Sequence, residues 1–161
     1  QIQVKIVVAI AHNKIRKSIF KKIKESSISL LTFIHPLSLV APSAELNEGC
    51  VIFGHCTINS NAVIKEGVIV NVGSLVEQNC TLDKFVGIGP GVHIGGRTFI
   101  GENTLVCTGA NIFARIKVGK NCLIAANSLI NKNVGDNFYM MGTPAKCISK
   151  INNEFRWENV L

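Results

Sequence analysis

Every sixth residue from Val40 to Ile130 is isoleucine, leucine or valine, sixteen positions without an exception. Four residues after each stands a second column, running from Ala44, Cys50, Cys56 and Ala62 to Cys122, Ser128 and Val134, in which every member is small or β-branched. A helix turns every 3.6 residues and a plain strand alternates every two, so neither keeps a six-residue stripe in phase. Two coupled columns held from 40 to 135 fit a narrow solenoid whose inward layers stack on one another. The residue just before the second column is Gly or Asn in eleven of the sixteen repeats, among them Gly49, Asn61, Gly67, Asn79, Gly91, Asn103 and Asn121. These two residue types enter the left-handed backbone region at low cost, so the chain turns a corner once per six residues. Three such units close a triangular coil of eighteen residues, and the region holds five and a third coils.

Composition sets the material of that core. Of 161 residues, 47% are hydrophobic and 17% charged, with ten aromatics, which excludes disordered and collagen-like chains. The interior is therefore built from Ile, Val, Leu, Ala and Cys. The apolar stretch 28–41 contains Ser29, Thr32, His35, Pro36 and Ser38 and falls short of a membrane span. Six cysteines without a CxxC pair point to reduced thiols, and four of them (Cys50, Cys56, Cys80, Cys122) fall in the small inward column. With no export signal legible, a cytoplasmic location and no membrane partner are expected. The net charge of +7 is local, because residues 1–30 carry seven basic side chains and one acidic. Lys14, Arg16, Lys17, Lys21, Lys22 and Lys24 alternate with Ile15, Ile19, Phe20 and Ile23 at helical spacing, the pattern of a solvated helix face; without an aromatic stacking platform, no nucleic-acid partner is expected.

Before the repeats, Val4–Ile10 reads as a buried strand, 13–26 as an amphipathic helix capped by Asn13, and Leu30–Ile34 as a second strand. Together they form a partial N-terminal βαβ segment without a glycine-rich phosphate loop. After the repeats, Ile148–Leu161 reads as a short C-terminal helix carrying Trp157. The chain thus divides into a partial α/β segment at 1–36, a β-helix at 37–135 and a cap at 136–161. The fold class is mostly β.

The paired columns resemble those of the hexapeptide-repeat acyltransferases, which implies a left-handed parallel β-helix. Gly142-Thr143-Pro144-Ala145 after the last coil, Ile34-His35-Pro36, Ala41-Pro42-Ser43-Ala44 and the segment Ala9-Ile10-Ala11-His12-Asn13-Lys14-Ile15-Arg16 extend the likeness over almost the whole chain. They resemble the sialic acid O-acetyltransferase type, a group that includes bacterial N-acetyltransferases of nucleotide-linked amino sugars. The resemblance implies acetyl transfer from acetyl-CoA, as co-substrate and without a metal, to a nucleotide-linked sugar in bacterial glycan biosynthesis. It also implies a homotrimer with sites between neighbouring coils.

At the family's catalytic positions this chain departs from the pattern. Where a histidine base and an acidic partner precede a cysteine, it has Gln78, Asn79 and Cys80, and the second family histidine is replaced by Gly87 within Phe85-Val86-Gly87-Ile88-Gly89-Pro90-Gly91. An amide accepts no proton at neutral pH, so Gln78 and Asn79 are candidates for positioning substrate rather than for general-base work. Glu77 is the adjacent carboxylate, and His93 stands in a different column. A partly neutral sugar amine attacks a thioester unaided more readily than a hydroxyl does, which favours N- over O-acetylation. For acetyl-CoA, the small residues stacked with Gln78 at eighteen-residue spacing, Gly96 and Ala114, form one wall, and Thr108 with Ala126 form another. Gly87 lies beside them, and Lys146, Lys132 or Arg115 is placed to meet the phosphates. Sugar O-acetylation and a catalytically degenerate scaffold that binds CoA stay open. A zinc carbonic anhydrase is disfavoured because His12, His35, His55 and His93 are dispersed. An ice-binding solenoid is disfavoured for want of an outward threonine array.

Overall fold

The computed structural model describes residues 4–152. The coil consists of seventeen two-residue strands, β3 (Phe33–Ile34) to β19 (Leu129–Ile130), repeating every six residues. They stack in parallel at eighteen-residue register into three faces. The first carries Phe33, Val51, Ile69, Gly87, Leu105 and Leu123 outward. The second carries Leu39, Thr57, Leu75, His93, Asn111 and Leu129, and the third Glu45, Val63, Thr81, Phe99 and Lys117. Fourteen successive corners, Gly49 to Asn127, have positive φ, and they include His55, Phe85, Arg97 and Arg115 besides the expected Gly and Asn.

Both inward columns form one continuous core from Cys50 to Val134. The small column does more than pack. Its Ser, Thr and Cys side chains from Cys50 to Thr104 donate to the carbonyl fifteen residues ahead, as in Ser74 to Gly89 at 2.8 Å, Cys80 to Gly95 at 3.2 Å, Thr98 to Phe113 at 3.0 Å and Thr104 to Gly119 at 2.7 Å, whereas Cys122 donates to Gly135, thirteen ahead, and Ser128 accepts from the Gly142 N–H. Inner-corner carbonyls that burial would otherwise leave unpaired are satisfied in this way. Burial pushes the Cys50 thiol up to about 12, so it stays protonated as a donor.

Several sequence expectations shift. Ile34 lies one six-residue step before Val40 and pairs with Ile52, so β3 is the first rung of the coil rather than part of the N-terminal unit, and the coil makes about six turns. The last turn is two residues short: Val134 bridges Val118, sixteen residues away, and therefore sits in the aliphatic column instead of the small one. Asn137 makes a positive-φ corner sixteen residues after Asn121, from which its Oδ1 accepts a hydrogen bond, and the Gly-or-Asn position just before Val134, Asn133, has no positive φ. The C-terminal helix does not start at Ile148. Phe138–Gly142 (β20) adds to the first face beside Leu123, and Ala145–Lys150 (β21) folds back on it antiparallel, closing the open end of the coil. The remainder of that expected helix, from 153 and including Trp157, lies outside the described residues.

In the N-terminal unit the strand is only Lys5–Ile6 (β1), with Val4 and Val7 exposed, and it pairs in parallel with Ser29–Leu30 (β2) through the crossover helix Asn13–Lys24 (α1). His12 caps the helix, its side chain accepting from the Ile15 N–H, whereas Asn13 is turned inward. The lysine face is partly paired rather than simply solvated. Glu48, Glu66 and Glu102 stack along one edge of the coil and meet Lys24 at 3.7 and 2.7 Å and Lys17 at 2.6 Å.

Candidate active site

Arg16 fixes the N-terminal unit to the coil. It is fully buried and its guanidinium reaches only oxygen dipoles. Nε donates to Gly67 O (2.8 Å), Nη1 to Ile10 O (2.7 Å) and Ala11 O (2.9 Å), and Nη2 to Phe85 O (2.9 Å), Val86 O (3.2 Å) and Asn13 Oδ1 (3.0 Å). Desolvation lowers its pKa to about 10, which leaves it cationic at neutral pH. Asn13 extends the seam by donating to Asn103 O and Thr104 O, each at 3.2 Å. Gly67, Phe85 and Asn103 are three stacked corners between the third face and the first, so one helical turn ties three rungs.

This seam borders a groove of about 280 Å³ on the first face. Ala11 forms one wall, and the coil supplies the rest, from Ile69 and Asn71 through Gly87, Ile88, Gly89, Pro90, Leu105, Cys107 and Thr108 to Ala126. Its lining spans four rungs, which at ~4.8 Å per rung makes a slot parallel to the coil axis. The expected acetyl-CoA residues Gly87, Thr108 and Ala126 are brought together here. Cys107, outward in the repeat, lines the slot too, and burial pushes its thiol up to about 11.

Gly87 is where the second family histidine would stand. A Cβ there meets Asn13 Oδ1 at 2.8 Å and Leu105 Cδ1 at 2.9 Å, and Asn13 is held by its own hydrogen bonds. Its φ is not positive, so Gly87→Ala gains ~0.4–1 kcal/mol from a stiffer unfolded chain, against an overpacking cost of ~1–3 kcal/mol. The expected result is a net destabilisation of ~1–2 kcal/mol, read by thermal melting.

The other candidates gather across the second face. Glu77, His93, Gly95, Asn111, Phe113 and Ala114 line a groove of about 380 Å³, and Glu77 accepts from Asn59 Nδ2 at 3.2 Å. At its rim the Gln78 side chain lies over Gly96, with Nε2 at 2.9 Å from where a Cβ would be, and Asn79 makes the corner at φ 57°. Sequence spacing set His93 apart from Gln78, but the sheet brings it into the same groove as Glu77. Phe113, 54% exposed, belongs to no motif that marks it in the sequence; it sits thirty-six residues after Glu77, two rungs up on the same face. Lys146, Lys132 and Arg115 are exposed and line neither groove. Within one chain, the Gln78–Gly96–Ala114 corner and the Gly87–Thr108–Ala126 slot lie at opposite edges of the second face. A wider concavity of about 650 Å³ beside α1 has Lys17 and Lys24 already paired with glutamates. Among the described residues no three His, Cys, Asp or Glu side chains converge as a metal site, and no helix is long and apolar enough to cross a membrane.

No family model matches the sequence. The fold is similar to the acetyltransferase domain of PglB from Neisseria gonorrhoeae, solved alone and with acetyl coenzyme A. Identity is 35%, the match covers 89% of this chain and 70% of that one, and the TM-score is 0.88. It is also similar to a single-residue variant of the GDP-perosamine N-acetyltransferase of Caulobacter crescentus, in complex with CoA and GDP-perosamine. There identity is 27%, coverage 91% of this chain and 70% of that one, and the TM-score 0.90. A Schizosaccharomyces pombe protein assigned as a serine acetyltransferase is 35% identical over 54 residues, which is 34% of this chain and only 20% of that curated relative's length. With the paired columns, the parallel triangular coil and a 35% identical relative matched along most of both chains, this chain belongs to the hexapeptide-repeat acetyltransferases and folds as their left-handed β-helix.

Proposed function

We propose that the protein is an acetyl-CoA-dependent N-acetyltransferase acting on a nucleotide-linked amino sugar in bacterial glycan biosynthesis, in the cytoplasm and as a homotrimer. The observation that carries the reading is the four-rung slot on the first face, whose narrow, mostly apolar lining suits the pantetheine arm of a thioester donor. CoA and GDP-perosamine in the C. crescentus relative, and acetyl coenzyme A in PglB, support the substrate classes. Separation of the two groups of site residues by a whole face supports the trimer: a slot on one copy meets a Gln78 corner only on a neighbour.

The acceptor nitrogen attacks the thioester carbon, the C–S bond breaks, and the amine proton passes through water to the departing thiolate. Gln78 and Glu77 position the acceptor, Asn79 sets their corner, and Gly87, Gly96, Ala114, Thr108 and Ala126 line the donor's path. Lys146 meets the donor phosphates as a point charge from the terminal hairpin. Because no imidazole occupies the family positions, the amine attacks in its neutral form without a protein base to take its proton. A degenerate CoA-binding scaffold is the second reading, favoured by the same departure at Gln78 and Gly87.

The test is incubation with acetyl-CoA and a panel of nucleotide-linked amino and hydroxy sugars, following free thiol. Release with amines alone is expected. Binding of CoA without release supports the scaffold, and neither binding nor release overturns both. Sedimentation at about three times the chain mass checks the assembly.

A further inference from the structure

We propose that Arg16 and Asn13 are positioning residues of the donor slot, holding the wall that Ala11 presents to Gly87 and Thr108 and thereby setting the affinity for acetyl-CoA. The inference rests on the acetyltransferase reading above. Ala11 lies in the irregular stretch between β1 and α1, outside any strand or helix. What fixes it is Arg16 Nη1, which binds the carbonyls of both Ile10 and Ala11 at 2.7 and 2.9 Å. The same guanidinium is anchored on the coil side by Gly67, Phe85 and Val86, so it fastens the wall directly to the rungs that form the opposite side. Asn13 links the two halves of the seam. Its Oδ1 accepts from Arg16, its Nδ2 reaches the next corner at Asn103 and Thr104, and it fills the space above Gly87, which itself lines the slot.

Geometry distinguishes this from plain docking. The ion pairs of Lys17 and Lys24 also hold α1 to the coil, yet they act along the far edge at Glu102 and Glu66. Among the described residues, Arg16 alone ties carbonyls of the wall to carbonyls of the rungs. A planar five-donor fork matches this set of acceptors, and the ammonium of lysine, with three donors from one atom, does not.

The experiment uses full-length protein with Arg16→Lys and Asn13→Ala. Acetyl-CoA binding is followed by calorimetry, steady-state constants for both substrates are determined, and amide hydrogen exchange compares residues 7–16 with the coil. Expected are a loss of tenfold or more in acetyl-CoA affinity and a matching rise in its KM. The acceptor KM and kcat should move less than twofold. Exchange should be at least tenfold faster over residues 7–16 and unchanged in the coil. Should Arg16→Lys release α1 altogether, Asn13→Ala, which leaves five of the six Arg16 hydrogen bonds, carries the test. Variants that melt earlier but bind acetyl-CoA as the parent does overturn the proposal and leave only a structural seam. A rise confined to the acceptor KM overturns it also. A parent protein that binds no acetyl-CoA overturns the reading beneath it, an outcome told apart because parent and variants then behave alike.

Discussion

Gln78→His is expected to raise kcat about 100-fold and to add an ionisation near ~6.5 to the pH–rate profile. Below that pH the new imidazole is protonated and accepts nothing; above it the rate climbs to a plateau. The parent, with an amide at this position, follows instead the ionisation of the acceptor amine and keeps rising until the amine is neutral. Room exists for the ring, because the Gln78 side chain already lies over Gly96, which has no Cβ to obstruct it. General-base catalysis is worth ~10² to 10⁴ in rate, and the lower figure applies because Asn79 supplies no carboxylate to orient the ring. Adding Asn79→Asp, a residue tolerated at that corner's φ of 57°, is expected to recover about another tenfold. Measurement of kcat against pH for parent, single and double variants decides it. An unchanged kcat with intact CoA binding places the reacting amine away from Gln78.

The solenoid was legible because its signal is repetitive. One hydrophobic column compels inward-facing strands, a second compels small contacts, and sixteen repetitions average away local exceptions. The exceptions are themselves instructive. His55, Phe85, Arg97 and Arg115 all adopt positive φ although their side chains disfavour it, because rungs above and below dictate the corner. At Phe85 the ring packs edge-on to Phe20 at 5.2 Å, a tertiary gain that single-residue preference does not register. The two-residue contraction before Val134 leaves no mark in the sequence because valine suits either column. Ile34 was in phase with the series, but His35-Pro36 looked like a boundary. The site was less legible than the fold. Gly96 and Ala114 could be placed beside Gln78 by counting in eighteens, and Thr108 beside Ala126. Asn13 against Gly87 could not, since seventy-four residues and no shared period separate them. The inward turn of Asn13 was hidden too, because an asparagine at a helix start reads as a cap until a buried arginine one turn later claims its oxygen.

Arg16→Met is expected to cost ~3–5 kcal/mol, felt by the N-terminal unit and not by the coil. Two effects oppose each other. Removing the cation relieves the desolvation that lowers its pKa to about 10, and no carboxylate among the guanidinium's recorded partners is left stranded. Against this, the buried carbonyls of Gly67 and Phe85 and the part-buried ones of Ile10 and Ala11 lose a charged donor, at ~1–3 kcal/mol for each buried group left unpaired and less where water can reach. Methionine fills much of the volume but donates nothing, so the second effect wins. The surface pairs Lys17–Glu102 and Lys24–Glu66 contribute at most ~1 kcal/mol each and do not make up the difference. Coil stability is a sum over neighbouring rungs, and its core from Cys50 to Val134 does not include α1. Calorimetry should therefore resolve a new low-temperature transition carrying the helix signal, followed by the parent's melting of the β-helix. A single transition lowered as a whole means the seam supports the coil as well as the helix. No detectable change means the six Arg16 hydrogen bonds contribute nothing net to the docking of α1.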